Sequence, residues 1–198
     1  MKRIVFIKNS ATVSAAMILK PGIVFGSRAN SAIRLGIIGC GNRGTAVISS
    51  MSKHTNIYIS AMADLFEDKL KTITPVLNQL NAAKGFPAIS PANTFQGSKA
   101  YSKLLALNDV DAVLISSPAY THPTFLEAAV AAGKHVYCEK PVATDAAGCN
   151  RIQQVGEGLN GKLSVVIGFQ IRYATPYVDM VKRIQRADIG EFVNAQLY

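Results

Sequence analysis

Residues 33–44, IRLGIIGCGNRG, constrain the fold more than any other part of the chain. Leu35, Ile37 and Ile38 form a short apolar run that passes straight into Gly39, Gly41 and Gly44, spaced GxGxxG, and a helix-compatible segment follows. A strand, a tight turn and a helix in that order make a dinucleotide-binding turn. Each glycine meets a physical need. Gly39 permits the turn out of the strand, Gly41 lets backbone approach a pyrophosphate, and Gly44 lets the helix lie close on the sheet. Asn42 and Arg43 complete the turn and are counted with the cofactor-binding residues. The phosphates would sit at the helix N-terminus, where unpaired N–H groups favour an anion.

Residues 56–63, NIYISAMA, read as a second strand ending at Asp64, 25 positions after Gly39. A carboxylate there holds the adenosine ribose hydroxyls of a bound dinucleotide and repels a 2′-phosphate, so NAD is expected over NADP. The alternative is that Asp64 caps the helix beginning near Phe66. Strand and helix then alternate: helices at 45–53, 65–80 (kinked at Pro75), 97–107, 123–132, 144–159 and 174–187, strands at 93–95, 112–117, 135–138 and 163–168. Ser117 and Pro118 close the strand AVLISS, where a ligand lying across the sheet would meet small polar groups. The expected fold is α/β, a Rossmann-type doubly wound parallel sheet over 33–168. Residues 169–198 begin a second α/β domain. A last extended piece at 191–198 would expose unpaired backbone at the end of a protein, so the sequence is expected to be a fragment.

The net charge of +9 raises the question of a nucleic-acid or membrane partner. Five basic and no acidic residues precede Ile33, which leaves 16 basic against 12 acidic, or +4, for the rest. No basic run interleaves with aromatics there, which argues against nucleic acid. The leader, residues 1–32, starts with Lys2 and Arg3, carries apolar pieces at 4–7, 15–19 and 23–25, and ends SRANSA. It reads as an export signal cleaved after Ser31 or Ala29, with a loose likeness to a twin-arginine signal that implies a periplasmic or exported protein. The alternative is a basic leader on a cytoplasmic protein. No run reaches the roughly 18 apolar residues of a membrane span. Cys40, Cys138 and Cys149 form no CxxC and no His stands at metal-ligand spacing, so no metal site or disulfide framework is expected.

GCGNRG, Asp64, ISSPAYTHP at 115–123, GKHVYCEKP at 133–141 and GFQIRY at 168–173 together resemble the glucose-fructose oxidoreductase and inositol dehydrogenase family, Gfo/Idh/MocA. The resemblance covers nearly everything from Ile33 onward, and EKP after a strand is its most specific part. It implies an NAD- or NADP-binding N-terminal domain and a C-terminal domain whose open sheet floors the substrate site and joins identical chains into an oligomer. Lys140 would be the general acid/base for a hydroxyl carbon that gives up hydride, its amine kept neutral by burial and the cationic nicotinamide. Glu139 would face the cofactor's sugar or amide, and Pro141 matches a cis-proline position. Pro118 and His122 would flank the nicotinamide, His122 with a catalytic role or else as a helix-start cap. Arg172 and Tyr173 match positions near the interdomain cleft. The second domain's acidic and histidine partners would lie beyond Tyr198. The implied activity is NAD-dependent oxidation of a sugar or polyol. Two alternatives stand beside it: a glycosidase of the same superfamily acting by transient oxidation and elimination, and a non-catalytic NAD-binding protein.

Overall fold

Successive residues of a strand face opposite sides of the sheet, and this chain fills both sides with apolar groups. The structure, a computed structural model, describes residues 31–191 together with Val193, Asn194 and Gln196. The leader lies outside the described residues except for Ser31 and Ala32. Six strands, β1 (Ile33–Ile38), β2 (Ile57–Asp64), β3 (Thr94–Gln96), β4 (Ala112–Ile115), β5 (His135–Cys138) and β6 (Val165–Ile167), form one parallel sheet in the order β3-β2-β1-β4-β5-β6. The helices are α1 (Asn42–His54), α2 (Glu67–Ala82), α3 (Ala100–Leu105), α4 (His122–Ala131), α5 (Ala146–Glu157), α6 (Gln170–Tyr173) and α7 (Thr175–Gln185).

Leu35 and Ile37 of β1 pack with Ile48 of α1 and Leu70, Ile73 and Leu77 of α2 on one face. Ile38 packs with Leu104 of α3 and Leu126 of α4 on the other. Gly36 faces α3 so closely that a Cβ there would come within 2.7 Å of a Leu104 methyl group. The doubly wound parallel sheet expected from the sequence is therefore present. Chain order reverses between β1 and β4, whose last residues, Ile38 and Ile115, stand side by side. A crevice opens at the carboxyl ends of the strands at such a reversal, and ligands bind there.

Several boundaries moved. The first helix starts at Asn42, three residues before the expected position, because Gly41 takes an extended conformation and serves as the N-cap. Pro75 sits inside α2. The strand AVLISS ends at Ile115; the Ser116 N–H still donates to the Ile38 carbonyl at 2.9 Å, and its Oγ donates to the Gly39 carbonyl at 2.7 Å. Residues 169–173, for which the sequence predicts no helix of their own, contain the single turn α6. The described residues of the extended piece expected at 191–198 form no strand, and the remainder of it lies outside the described residues. Neither α6 nor α7 buries a side chain.

Candidate functional site

The glycine turn has the geometry its spacing implies. Gly39 has φ +96°, and a Cβ there would come within 2.5 Å of the Ser117 backbone nitrogen. A Cβ on Gly44 would strike Ser116 Oγ and approach the Gly39 carbonyl oxygen to 2.5 Å, so its absence lets α1 lie against the sheet. Gly41 differs, because a Cβ there would meet nothing within 4 Å. The space before it is open. The N-terminus of α1 has no side-chain cap and no acidic residue in its first turn, so its N–H groups remain available to a diphosphate.

A cavity of about 570 Å³ begins at this turn and runs over the ends of β1, β2 and β4. Gly39, Gly41, Asp64, Ser116, Ser117 and Pro118 line it, with Leu65, Phe66, Tyr101, Tyr120 and Phe125 as its apolar walls. Tyr101 and Phe125 stack with ring centroids 4.2 Å apart. Asp64 lies between the glycine turn and the entry to α2. Its Oδ2 accepts from the Cys40 N–H at 2.6 Å and its Oδ1 from the Phe66 N–H at 2.9 Å. Phe66, not Asp64, is the N-cap of α2, so the carboxylate braces the chain entering the helix. Each carboxylate oxygen can accept further bonds, and a ribose diol supplies donors. The open space at Gly41, the uncapped helix and the carboxylate in the cavity wall fit a dinucleotide.

His122 is placed differently from the catalytic expectation. It is 1% exposed, with Nδ1 at 2.7 Å from the Pro141 carbonyl and Nε2 at 2.8 Å from the Ser117 carbonyl. A carbonyl only accepts, so a neutral ring donates to one of them at a time. Both nitrogens are occupied by the chain itself, and the ring ties the loop after β4 to the turn after β5. Ser117 and Thr121 hydroxyls meet at 2.6 Å within that loop.

The turn after β5 carries Glu139, Lys140 and Pro141, and the Lys140–Pro141 peptide is cis, as the resemblance implied. Lys140 is exposed, and the described residues do not bury its amine as expected. Glu139 is 3% exposed. Its Oε1 accepts from Arg43 Nη2 at 2.9 Å and from the Tyr137 hydroxyl at 3.5 Å. Arg43 Nη2 also donates to Gln170 Oε1 at 3.2 Å. The hydrogen bond to Glu139 raises the Arg43 guanidinium above its ordinary pKa, and burial followed by the Glu139 charge raises the Tyr137 phenol. Arg172 and Tyr173 lie exposed on α6, outside the cavity lining. Asn42 is exposed in the first turn of α1.

Sequence reasoning missed the partners of these residues. Ser116, Tyr137, Gly168 and Gln170 shape the site through contacts between segments, and no local spacing announces them. Burial pushes the thiols of Cys40 and Cys138 up to about 12, with Asp64 and Glu139 adding to the effect, so both are packed neutral groups. Among the described residues no cluster of His, Cys, Asp and Glu suits a metal ion, and no helix is long and apolar enough to cross a membrane.

Comparison with known proteins agrees with this geometry. An inositol 2-dehydrogenase/D-chiro-inositol 3-dehydrogenase from Shouchella clausii is 32% identical over 164 residues, covering 80% of this chain and 42% of the relative. Scyllo-inositol dehydrogenase from Lactobacillus casei, solved with NAD(H) and scyllo-inositol, superposes with a TM-score of 0.65 at 23% identity, over 81% of this chain and 43% of that one. KijD10, a 3-ketoreductase from Actinomadura kijaniata solved with TDP-benzene and NADP, gives a TM-score of 0.63 at 26% identity, over 81% and 46%. The chain thus spans less than half the length of the curated relatives it matches. The sequence profile of an oxidoreductase family with an NAD-binding Rossmann fold matches residues 33–167, and the chain belongs to that family, Gfo/Idh/MocA.

Proposed function

We propose that these residues are the cofactor half of an NAD-dependent oxidoreductase acting on a hydroxyl carbon of a polyol or sugar, with Lys140 as the proton acceptor. One observation carries the proposal: Lys140 presents an exposed amine on a turn whose flanks are both anchored. Glu139 is held by Arg43 and the Pro141 carbonyl by His122. A proton acceptor works only if it is positioned, and the anchors restrict this amine while leaving it uncovered. Bound NAD supplies the hydride acceptor. The chain's own residues bind it at the uncapped α1 and Asp64, wall its cavity with Leu65, Phe66 and Tyr120, and hold the hydroxyl proton at Lys140 Nζ. The inositol dehydrogenases among the relatives support a polyol substrate. A second body beginning after Gly168, where the helices cease to bury side chains, would supply the substrate floor and join identical chains.

The test uses the complete protein. NADH production from inositols or free sugars is the expected result, and Lys140→Ala should keep NAD binding while losing about 10²–10⁴-fold in turnover. Aglycone release from a glycoside with no net NADH would instead establish the redox glycosidase. NAD binding with no turnover of either kind would make the protein a non-catalytic binder. Export through the leader belongs to the same reading, supported by Lys2, Arg3, the apolar pieces and SRANSA, and N-terminal sequencing of the mature protein checks it.

A further inference from the structure

Arg43 is the second residue of α1, the helix whose N-terminus faces the open space at Gly41. A basic side chain there would ordinarily be assigned to the phosphates. Its guanidinium is turned elsewhere. Gly41 lines the dinucleotide cavity and Arg43 does not. Arg43 Nη2 reaches across 96 positions of sequence to Glu139 Oε1 at 2.9 Å and also holds Gln170 Oε1 at 3.2 Å.

The receiving carboxylate sits in a built pocket. The Glu139 side chain is 4% exposed, and without Arg43 it would be a buried charge with no cation beside it. The Tyr137 hydroxyl reaches the same oxygen at 3.5 Å. Gly168, at the end of β6, makes the room: a Cβ there would come within 2.9 Å of Glu139 Oε1 and 2.8 Å of the Tyr137 hydroxyl. The main chain of Glu139 is fixed as well, its N–H donating to the Ile115 carbonyl at 2.9 Å. Lys140 is the next residue. Arg43 is therefore bonded to the anchored side of the turn that presents the exposed amine.

We propose that Arg43 is a positioning residue for the acid/base turn: it holds the buried Glu139 carboxylate, which sets where Lys140 meets substrate, and it is not a phosphate ligand. This rests on the assignment of Lys140 as proton acceptor. Because Arg43 acts through Glu139, removing both should cost no more than removing Glu139 alone. Arg43 uses the single nitrogen Nη2 for both contacts, and lysine at position 43 keeps the charge and a donor on a shorter side chain, so it should rescue part of the function.

The experiment measures NAD affinity by calorimetry and turnover by NADH production in the complete protein, for Arg43→Gln, Arg43→Lys, Glu139→Gln, the Arg43→Gln/Glu139→Gln double variant and Lys140→Ala. Thermal melts confirm that each variant folds. Arg43→Gln is expected to leave the Kd for NAD within about threefold and to lower kcat by about 10²-fold, with KM for the polyol less affected. Arg43→Lys should recover part of kcat, and the double variant should match Glu139→Gln. A tenfold or greater loss of NAD affinity with kcat unchanged would make Arg43 a phosphate ligand and overturn the proposal, as would losses that multiply in the double variant. Wild-type turnover in Lys140→Ala removes Lys140 as proton acceptor and this proposal with it, and no turnover in the wild type removes the oxidoreductase reading as well. Failure confined to the Arg43 variants leaves that reading standing.

Discussion

Asp64 Oδ2 accepts a hydrogen bond from the main-chain N–H of Cys40 at 2.6 Å, joining the end of β2 to the glycine turn that leaves β1. Asp64 therefore braces the turn, and two substitutions separate that role from the cofactor preference proposed for it. Asp64→Ala should cost about 1–3 kcal/mol by orphaning the N–H groups of Cys40 and Phe66. Asp64→Asn keeps an acceptor oxygen but removes the charge, so it should cost less stability while raising the affinity for NADP relative to NAD. Parallel thermal melts and titrations with both dinucleotides check this. An unchanged preference in Asp64→Asn would confine Asp64 to bracing the turn.

Gly41 and Gly44 should respond oppositely to alanine. Gly44→Ala forces a methyl group against Ser116 Oγ and the Gly39 carbonyl, an overpacking of about 1–3 kcal/mol visible in urea unfolding. Gly41→Ala meets open space at an ordinary φ of −84° and should leave the unfolding midpoint almost unmoved. Its methyl group would stand where a pyrophosphate approaches, so NAD affinity should fall. Unaltered NAD binding in Gly41→Ala would place the phosphates elsewhere.

The cysteines should differ in reactivity. Cys40 and Cys138 are buried with thiols pushed up to about 12, whereas Cys149 is exposed. Iodoacetamide at mildly alkaline pH needs the thiolate, so native protein should be alkylated at Cys149 alone, as read by peptide mass spectrometry. Comparable labelling of Cys40 would mean that the glycine turn opens readily in solution.

At the amino ends of the strands, Asp111 receives the Arg34 guanidinium at both carboxylate oxygens, at 3.0 and 2.6 Å, and the Arg34 N–H at 2.8 Å. The guanidinium hydrogen bonds hold the Asp111 carboxyl below its ordinary value of 3.8, against the opposing effect of burial. A carboxyl depressed in the folded state contributes stability that is full above its unfolded value and lost as pH falls through its folded one. Acid unfolding of the wild type should thus steepen below pH 3.8, and Asp111→Asn should be less stable at neutral pH but flatter in that range. Equal slopes in the two proteins would show that the pair contributes nothing to acid stability.

Local pattern reveals local structure, and this site shows where that stops. His135–Cys138 is a strand with the expected bounds, because an apolar run between Gly133 and the EKP turn has little freedom to be anything else. Gly39, Gly41 and Gly44 stand where their spacing predicts a turn, but what bars a side chain at Gly39 and Gly44 is Ser116 and Ser117, more than 70 positions away, which the spacing does not name. The start of α1 at Asn42 is not legible because the cap is Gly41, while Asn42, the stronger capping type, lies one residue inside the helix. The roles of Arg43 and His122 were hidden for another reason. Arg43 meets a residue 96 positions away, and His122 meets two main-chain carbonyls that no side-chain motif records. Sequence could name these residues as important but not say what they touch.

One imidazole therefore sits between the loop after β4 and the turn after β5. Because His122 has one ring nitrogen at each of the Ser117 and Pro141 carbonyls and, when neutral, donates to one at a time, the loop after β4 and the turn after β5 pack on the same ring. Neither can be lengthened, tilted or reshaped for a new ligand without the other following, so variation among proteins built on this frame should concentrate on surfaces that this ring does not bridge.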